Sequence, residues 1–147
     1  MKIKQTAVAG VLASIFAMPA FADLDTSSSE ASLNVAVYAA ITGLDDFTMS
    51  TTGSSGAANA SYSATESFNV ESNAQVRLSL SAGNLENGSD AVTTVYAIDG
   101  GSTTLDTAAD SVHNSSHTIT ATGTLGAISD QKAGDYAADV TLTVSAL

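Results

Sequence analysis

The sequence contains no cysteine, no tryptophan and a single proline, and only 5% of its residues are aromatic. Without cysteine the chain has no disulfides, zinc–thiolate sites or cysteine nucleophiles, so packing and backbone hydrogen bonds must hold the fold. The absence of tryptophan and the scarcity of aromatic rings leave little to hold a sugar, which disfavours glycoside hydrolysis.

Basic residues are also scarce. The chain has four Lys and Arg against 15 Asp and Glu, and two of the lysines lie within the first 22 residues. Residues 23–147 therefore carry two basic and 15 acidic side chains, a formal charge of −13. Because binding to nucleic acid and anionic lipid depends on Lys and Arg that neutralise phosphates, we expect neither as a partner.

The first 22 residues have the order of a secretory signal peptide. Lys2 and Lys4 precede the apolar run AVAGVLASIFAMPA, which ends at the small-residue site Ala20-Phe21-Ala22. The run is shorter than the roughly 20 residues that span a bilayer, and Pro19 interrupts its end. We predict cleavage after Ala22, no membrane span afterwards, and a secreted or cell-surface location.

The remaining chain predicts one β-domain behind a short leader. Residues 23–30 are polar, acidic and aperiodic, which indicates a flexible leader, and residues 31–147 form the domain. Alternating apolar residues and turn signals predict an all-β, antiparallel, two-sheet Ig-like sandwich of about seven strands. A turn at Ser72-Asn73 predicts a hairpin between the second and third strands. The predicted strands lie near 31–42, 65–71, 75–82, 91–98, 102–106, 116–125 and 136–147.

Candidate chemical sites are few. His113 and His117 lead into a predicted strand, where positions four apart lie about 13 Å from each other, so a solvated turn is favoured over a metal site. Loops 44–46 and 84–90 are rich in oxygen ligands and leave calcium open, although the same residues build ordinary turns. There is no Gly-x-Ser-x-Gly motif. We predict no enzyme activity, no catalytic or metal residues and no cofactor.

The C-terminal run resembles the last strand of exported sandwich subunits. Ala133-Gly134-Asp135-Tyr136 followed by ADVTLTVSAL is similar to that strand in chaperone-usher pilins and spore-coat-U-like secreted proteins, over about 15 residues. The resemblance implies assembly by strand donation, in which an N-terminal extension completes the sheet of the next subunit. This chain lacks the paired cysteines that many such subunits carry. The expected assembly strand comprises Leu33, Val35, Val37 and Ile41, and the expected receiving core comprises Tyr136, Val140, Leu142 and Val144.

Two functions follow from these features. The first is a non-enzymatic extracellular structural subunit of a pilus, surface fibre or biofilm matrix, whose partners are copies of itself or other fibre subunits. The second is a soluble secreted ligand-binding module for carbohydrate or calcium, with loops 84–90 and 99–101 as the site. A further alternative is that Leu33 to Ile41 are simply the first strand of their own domain.

Overall fold

A computed structural model describes residues 27–147. The signal peptide predicted for residues 1–22 and the start of the predicted leader lie outside the described residues. The chain divides into two units, one ending at Asn34 and one running from Val35 to Leu147. The described part of the first unit, residues 27–34, is exposed and has no regular secondary structure.

The second unit consists of β-strands and one 3₁₀ turn, and every strand pair is antiparallel. The predicted all-β, antiparallel class is therefore confirmed. No helix within residues 27–147 has the length and apolarity needed to cross a membrane. The strands are β1 (Ala39–Thr42), β2 (Ser61–Ser72), β3 (Val76–Ala82), β4 (Leu85–Asn87), β5 (Asp90–Val92), β6 (Thr94–Ile98), β7 (Thr104–Asp106), β8 (His113–Thr124) and β9 (Val140–Ala146), and the 3₁₀ turn is Ile128–Asp130.

Two larger sheets and one small hairpin organise these strands. The four-stranded sheet has the order β1-β2-β8-β6, the three-stranded sheet has the order β7-β3-β9, and β4 pairs with β5. The longest pairing joins β2 to β8 over 12 residues, from Ser61 opposite Thr124 to Ser72 opposite His113. This arrangement is consistent with a β-sandwich.

One apolar cluster lies between the two larger sheets. Every second residue of a strand points to the same face, and the residues on the inner faces of β2, β3, β6 and β8 are buried together. Full burial of a side chain such as Leu78 or Ile119 contributes about 1.5–3 kcal/mol. The buried cluster comprises Phe68, Val70, Val76, Leu78, Leu80, Tyr96, Ile98, Ile119 and Ala121.

The predicted hairpin between residues 65–71 and 75–82 is wrong, because β2 and β3 lie in different sheets. The buried Ser72 lies at this crossing. Its hydroxyl donates to the Ala74 carbonyl at 2.7 Å and lies 3.2 Å from the Ala74 amide, so the chain turns tightly at the end of β2. Ser72-Asn73 thus connects the two sheets instead of pairing neighbouring strands.

Three other predicted strands are divided or shortened. The predicted strand 91–98 is divided at Thr93 into β5 and β6, and Gly88-Ser89 forms the tip of the β4–β5 hairpin, with Gly88 at φ 69°. Only Ala39–Thr42 of the predicted strand 31–42 is paired. The last strand begins at Val140, not at 136.

Candidate functional site

The outer edge of β9 carries unpaired backbone groups. Within residues 27–147, β3 is the only strand that pairs with β9. The Leu147 amide donates to the Gln75 carbonyl at 3.3 Å, so the odd-numbered positions along β9 face β3. In an antiparallel pair the intervening residues direct their N–H and C=O groups the other way. Val140, Leu142 and Val144 therefore present these groups at the outer edge.

The side chains of the same three residues are apolar and only half-buried. They pack against the core, but Leu142 and Val144 retain exposed surface that their partners on β3 do not. Leu78, opposite Val144, is 0% exposed, and Leu80, opposite Leu142, is 7% exposed. The outer edge of β9 therefore combines free main-chain groups with a strip of incompletely covered apolar surface.

A cavity of about 1370 Å³ opens at one end of the sandwich, where β9 begins. Tyr136, the fourth residue of the predicted receiving core, lies in the loop before β9 and donates from its hydroxyl to the Lys132 carbonyl at 2.9 Å. The structure thus brings Tyr136 and Val140 to the same cavity. Other lining residues are Phe47, Met49, Tyr62 and Tyr96.

The predicted assembly strand divides into two parts. Leu33, Val35 and Val37 belong to no strand and are 89%, 71% and 56% exposed. Ile41 lies instead within β1, opposite Val70 of its own chain, and packs against the core. The exposed apolar segment therefore ends before β1 begins.

Asn73 holds the base of this segment. Its side-chain oxygen accepts from the Tyr38 amide at 2.7 Å, its side-chain nitrogen donates to the Ala36 carbonyl at 2.9 Å, and its own amide donates to the Tyr38 carbonyl at 3.1 Å. The link between β2 and β3 thus fixes where the segment leaves the sandwich.

The loops proposed for the alternative ligand site are not brought together. Asn84 accepts from the Thr94 amide at 3.1 Å at the start of β6, whereas Asp99 directly follows the last residue of β6. Five residues of extended chain separate the two loops by about 16 Å. Asp90 lies 3.8 Å from the Lys132 ammonium. Among residues 27–147 there is no group of three or more His, Asp or Glu side chains that could hold a metal ion.

Both histidines lie within β8, not in the turn that the sequence predicted. His117 joins a hydrogen-bonded chain: its Nδ1 lies 2.7 Å from Asp99 Oδ2 and its Nε2 lies 2.9 Å from Ser115 Oγ. Asp99 Oδ1 accepts from the Thr118 amide at 2.8 Å. Burial alone would raise the pKa of Asp99, but the hydrogen bonds from His117 and Thr118 outweigh it and hold that pKa below its usual value.

This chain of contacts was missed because Asp99 and His117 are 18 residues apart and meet only through the β6–β8 pairing. Two local signals point to it. Ser115 and His117 are two positions apart on a strand and so share a face, and Asp99 begins the Asp-Gly-Gly turn that ends the neighbouring strand.

No family model matches the chain. No curated protein matches it either. The chain's own geometry must therefore indicate its function.

The free edge of β9 has the chemistry of a strand-binding site. An incoming extended segment can pair with unpaired N–H and C=O groups, while its alternate side chains cover the exposed apolar strip. The cavity beside Val140 can accept a further apolar side chain at one end of such a segment.

Proposed function

We propose that the protein is a structural subunit of an extracellular pilus, surface fibre or biofilm matrix, and that its subunits assemble by β-strand donation. The observation that carries this proposal is the outer edge of β9, where Val140, Leu142 and Val144 combine free backbone groups with half-exposed apolar side chains. Assembly uses strand pairing and apolar burial and needs no catalysis. Export through the predicted signal peptide would deliver the subunit to its site of assembly.

The similarity of the strand order to that of an Ig domain supports the same proposal. The order β1-β2-β8-β6 matches the A-B-E-D sheet of an Ig domain, and the neighbours β3 and β9 match strands C and F. In an Ig domain strand G completes the second sheet beside F. No strand within residues 27–147 has that position, so a strand from another subunit would complete the sheet.

The exposed segment before β1 is suited to that role. Leu33, Val35 and Val37 alternate along the chain, as Val140, Leu142 and Val144 do, so in an extended strand both sets would place side chains about 6.6 Å apart on one face. Burial of an aliphatic side chain of this kind contributes about 1.5–3 kcal/mol. Donation would therefore bury apolar surface on both segments and pair their backbones.

The acidic surface opposes association at long range. Subunits of residues 23–147 each carry a formal charge of −13 and repel one another until salt screens the repulsion. At physiological ionic strength the screening length is about 8 Å, which leaves short-range strand pairing intact. We expect the rate of assembly to rise with salt concentration.

The first test compares two exposed valines. Val35→Asp places a charge in the proposed donor segment and is expected to abolish filaments seen by negative-stain electron microscopy, while circular dichroism of the monomer stays unchanged. Val112→Asp is the matched control, since Val112 is 77% exposed but lies outside both segments. Filaments formed normally by folded Val35→Asp protein would refute donation through this segment.

The second test uses the absence of cysteine from the chain. One protein carries Leu142→Cys, and a second carries cysteine at Leu33, Val35 or Val37. After mixing and mild oxidation, donation predicts a disulfide between two different molecules for at least one of the three combinations, because facing side chains lie within bonding range. Filaments that yield no such disulfide in any combination contradict strand donation onto β9.

A soluble secreted ligand-binding module for carbohydrate or calcium is the second candidate, and the cavity favours its carbohydrate form. The cavity is lined by the aromatic residues Phe47, Tyr62, Tyr96 and Tyr136. Calorimetry with a panel of soluble glycans tests this form, and Tyr136→Ala should weaken any binding observed. Protein that stays monomeric and releases heat on glycan addition would favour this candidate over the fibre subunit.

A further inference from the structure

Two side chains near the start of β8 and one in the turn after β6 form a hydrogen-bonded series that the proposed assembly does not use. Asp99 Oδ2 lies 2.7 Å from His117 Nδ1, and His117 Nε2 lies 2.9 Å from Ser115 Oγ. The Phe68 ring packs beside the imidazole, with 5.7 Å between ring centroids. A carboxylate, an imidazole and a hydroxyl thus stand in the order of an orienting acid, a base and a nucleophile.

The hydrogen-bonding capacities of these groups fix the direction of each bond. An ionised carboxylate only accepts, so the neutral His117 ring carries its proton on Nδ1 and donates it to Asp99. Nε2 is then unprotonated and accepts from the Ser115 hydroxyl. This arrangement allows the imidazole to remove the hydroxyl proton as the oxygen attacks.

A second serine and histidine on the same stretch of chain provide a natural control. Ser111 and His113 have the same two-residue spacing, and Ser111 Oγ lies 3.4 Å from His113 Nε2. His113 Nε2, however, lies 3.0 Å from the Ala108 carbonyl oxygen, which can only accept. That nitrogen must therefore carry a proton, and it cannot take one from Ser111.

The backbone beside Ser115 offers a hydrogen-bond donor for developing negative charge. Thr118 donates to Asp99, and Thr124 donates to the Thr93 carbonyl, so even-numbered residues of β8 face the β6 side. β6 ends at Ile98, opposite Ile119, and the Ser116 amide lies beyond that end. The amide of the residue after the nucleophile stabilises the oxyanion in many hydrolases.

We propose that Ser115 is a nucleophile that accepts acyl groups from small carboxylic esters, with His117 as general base and Asp99 as a positioning residue. Ser115 Oγ bonds to the ester carbonyl carbon while its proton passes to His117 Nε2. The carbon–alkoxide bond then breaks, and His117 returns the proton to the departing alcohol. Water repeats the sequence on the acyl-serine, which releases the carboxylic acid and restores the hydroxyl.

The site is partly exposed at the surface, and Ser115 is half-buried. The side chain of His117 is 14% exposed and that of Asp99 is 41% exposed. A surface site of this kind makes few contacts with the rest of a substrate, so little binding energy is available. We therefore expect slow hydrolysis that does not saturate with ester concentration.

An alkyl fluorophosphonate tests the nucleophile directly, because its adduct marks the reacting oxygen as fluoride departs. Incubation of the purified chain followed by peptide mass spectrometry is expected to place the adduct on Ser115 and not on Ser111. Hydrolysis of p-nitrophenyl acetate should fall to the background rate in Ser115→Ala and stay unchanged in Ser111→Ala. An unlabelled Ser115, under conditions that label a known serine esterase, would overturn the proposal.

Two further variants separate catalysis from folding. His117→Gln should slow labelling by about 100-fold or more, the usual contribution of a general base, while circular dichroism remains native. Asp99→Asn should slow labelling and remove the low-field Nδ1 proton signal of His117 from the NMR spectrum. Labelling at the wild-type rate in folded His117→Gln protein would overturn the proposal even if Ser115 carries the adduct.

Discussion

β3 and β9 are neighbours with the same alternation of side chains, yet they differ in burial. Leu78 and Leu80 of β3 are almost completely buried, whereas their partners Val144 and Leu142 of β9 are only half-buried. β3 has β7 on one side and β9 on the other, while β9 has β3 as its only strand neighbour among residues 27–147. Alternation thus determines which face a residue occupies, and neighbouring strands determine how completely that face is covered.

The outer sides of β3 and β9 also differ in whether their backbone groups have hydrogen-bond partners. On the β7 side, the Val76 amide donates to the buried Thr107 hydroxyl at 2.9 Å, so even the end of the pairing has a partner. On the outer side of β9, the corresponding groups pair with no strand of the described chain. The difference leaves β9 with one unpaired edge within residues 27–147, and it is there that we propose another strand binds.

The largest expected effect comes from shortening a buried side chain of β3. Leu78→Ala should lower the free energy of unfolding by about 3 kcal/mol, because it opens a cavity in the core. Leu142→Ala, the matched change on β9, should cost the monomer only about 1 kcal/mol, since its side chain already contacts water. Urea titration of both monomers measures the difference, and equal losses would remove the distinction between the two strands.

A smaller effect is expected at Thr107, whose hydroxyl accepts from the Val76 amide on the β7 side of β3. Thr107→Val keeps the shape of the side chain but leaves the Val76 amide buried without an acceptor, which costs about 1–3 kcal/mol. Thr143→Val on the solvent face of β9 is the control and should change stability by less than about 0.5 kcal/mol. A neutral Thr107→Val substitution would show that water replaces the hydroxyl at this edge.

The hydrogen bonds from Asn73 to the proposed donor segment should contribute less to the free energy of unfolding. Asn73→Ala removes two side-chain hydrogen bonds to Ala36 and Tyr38 at an exposed position, and we expect a loss of about 1 kcal/mol. Hydrogen exchange at the Tyr38 amide should accelerate. Asn114→Ala removes a surface hydrogen bond to Asn69 and should leave Tyr38 unaffected. Unchanged exchange in Asn73→Ala would mean that the segment is held by other contacts.

The smallest effect is expected at the surface ion pair between β3 and β7. Arg77 binds Asp106 through two hydrogen bonds of 2.6 Å, and this hydrogen bonding holds the pKa of Asp106 below its usual value. A lowered pKa in the folded state stabilises the fold above about pH 4, and this contribution is lost as the pH falls through the folded value. The melting difference between wild type and Asp106→Asn should therefore shrink in acid. A constant difference would contradict a stabilising pair.

The sequence predicted the local features of the fold well. Alternation identified paired stretches of β2, β3, β8 and β9. These features depend on neighbouring residues. The order of strands in the sheets depends instead on distant contacts, so β2 and β3, which the sequence predicted as a hairpin, lie in different sheets.

The candidate sites also depend on contacts between distant parts of the chain, which the sequence alone does not predict. The spacing of Val140, Leu142 and Val144 predicted a shared face, but only the strand order reveals that their backbone groups lie at a free edge. The contact of Asp99 with His117 depends on the β6–β8 register, which no local pattern specifies. Leu33 to Val37 alternate as a strand does, yet they pair with no strand of the described residues 27–147, whereas Ile41 pairs with β2.

Residue-specific hydrogen exchange on β9 tests strand donation most directly. In the monomer the amides of Leu142 and Val144 face the outer edge, whereas those of Thr141 and Thr143 pair with β3. Strand donation predicts that Leu142 and Val144 exchange rapidly in the monomer and become protected in the assembled form, while Thr141 and Thr143 are protected in both. Amides of Leu142 and Val144 that keep exchanging rapidly after assembly would contradict it.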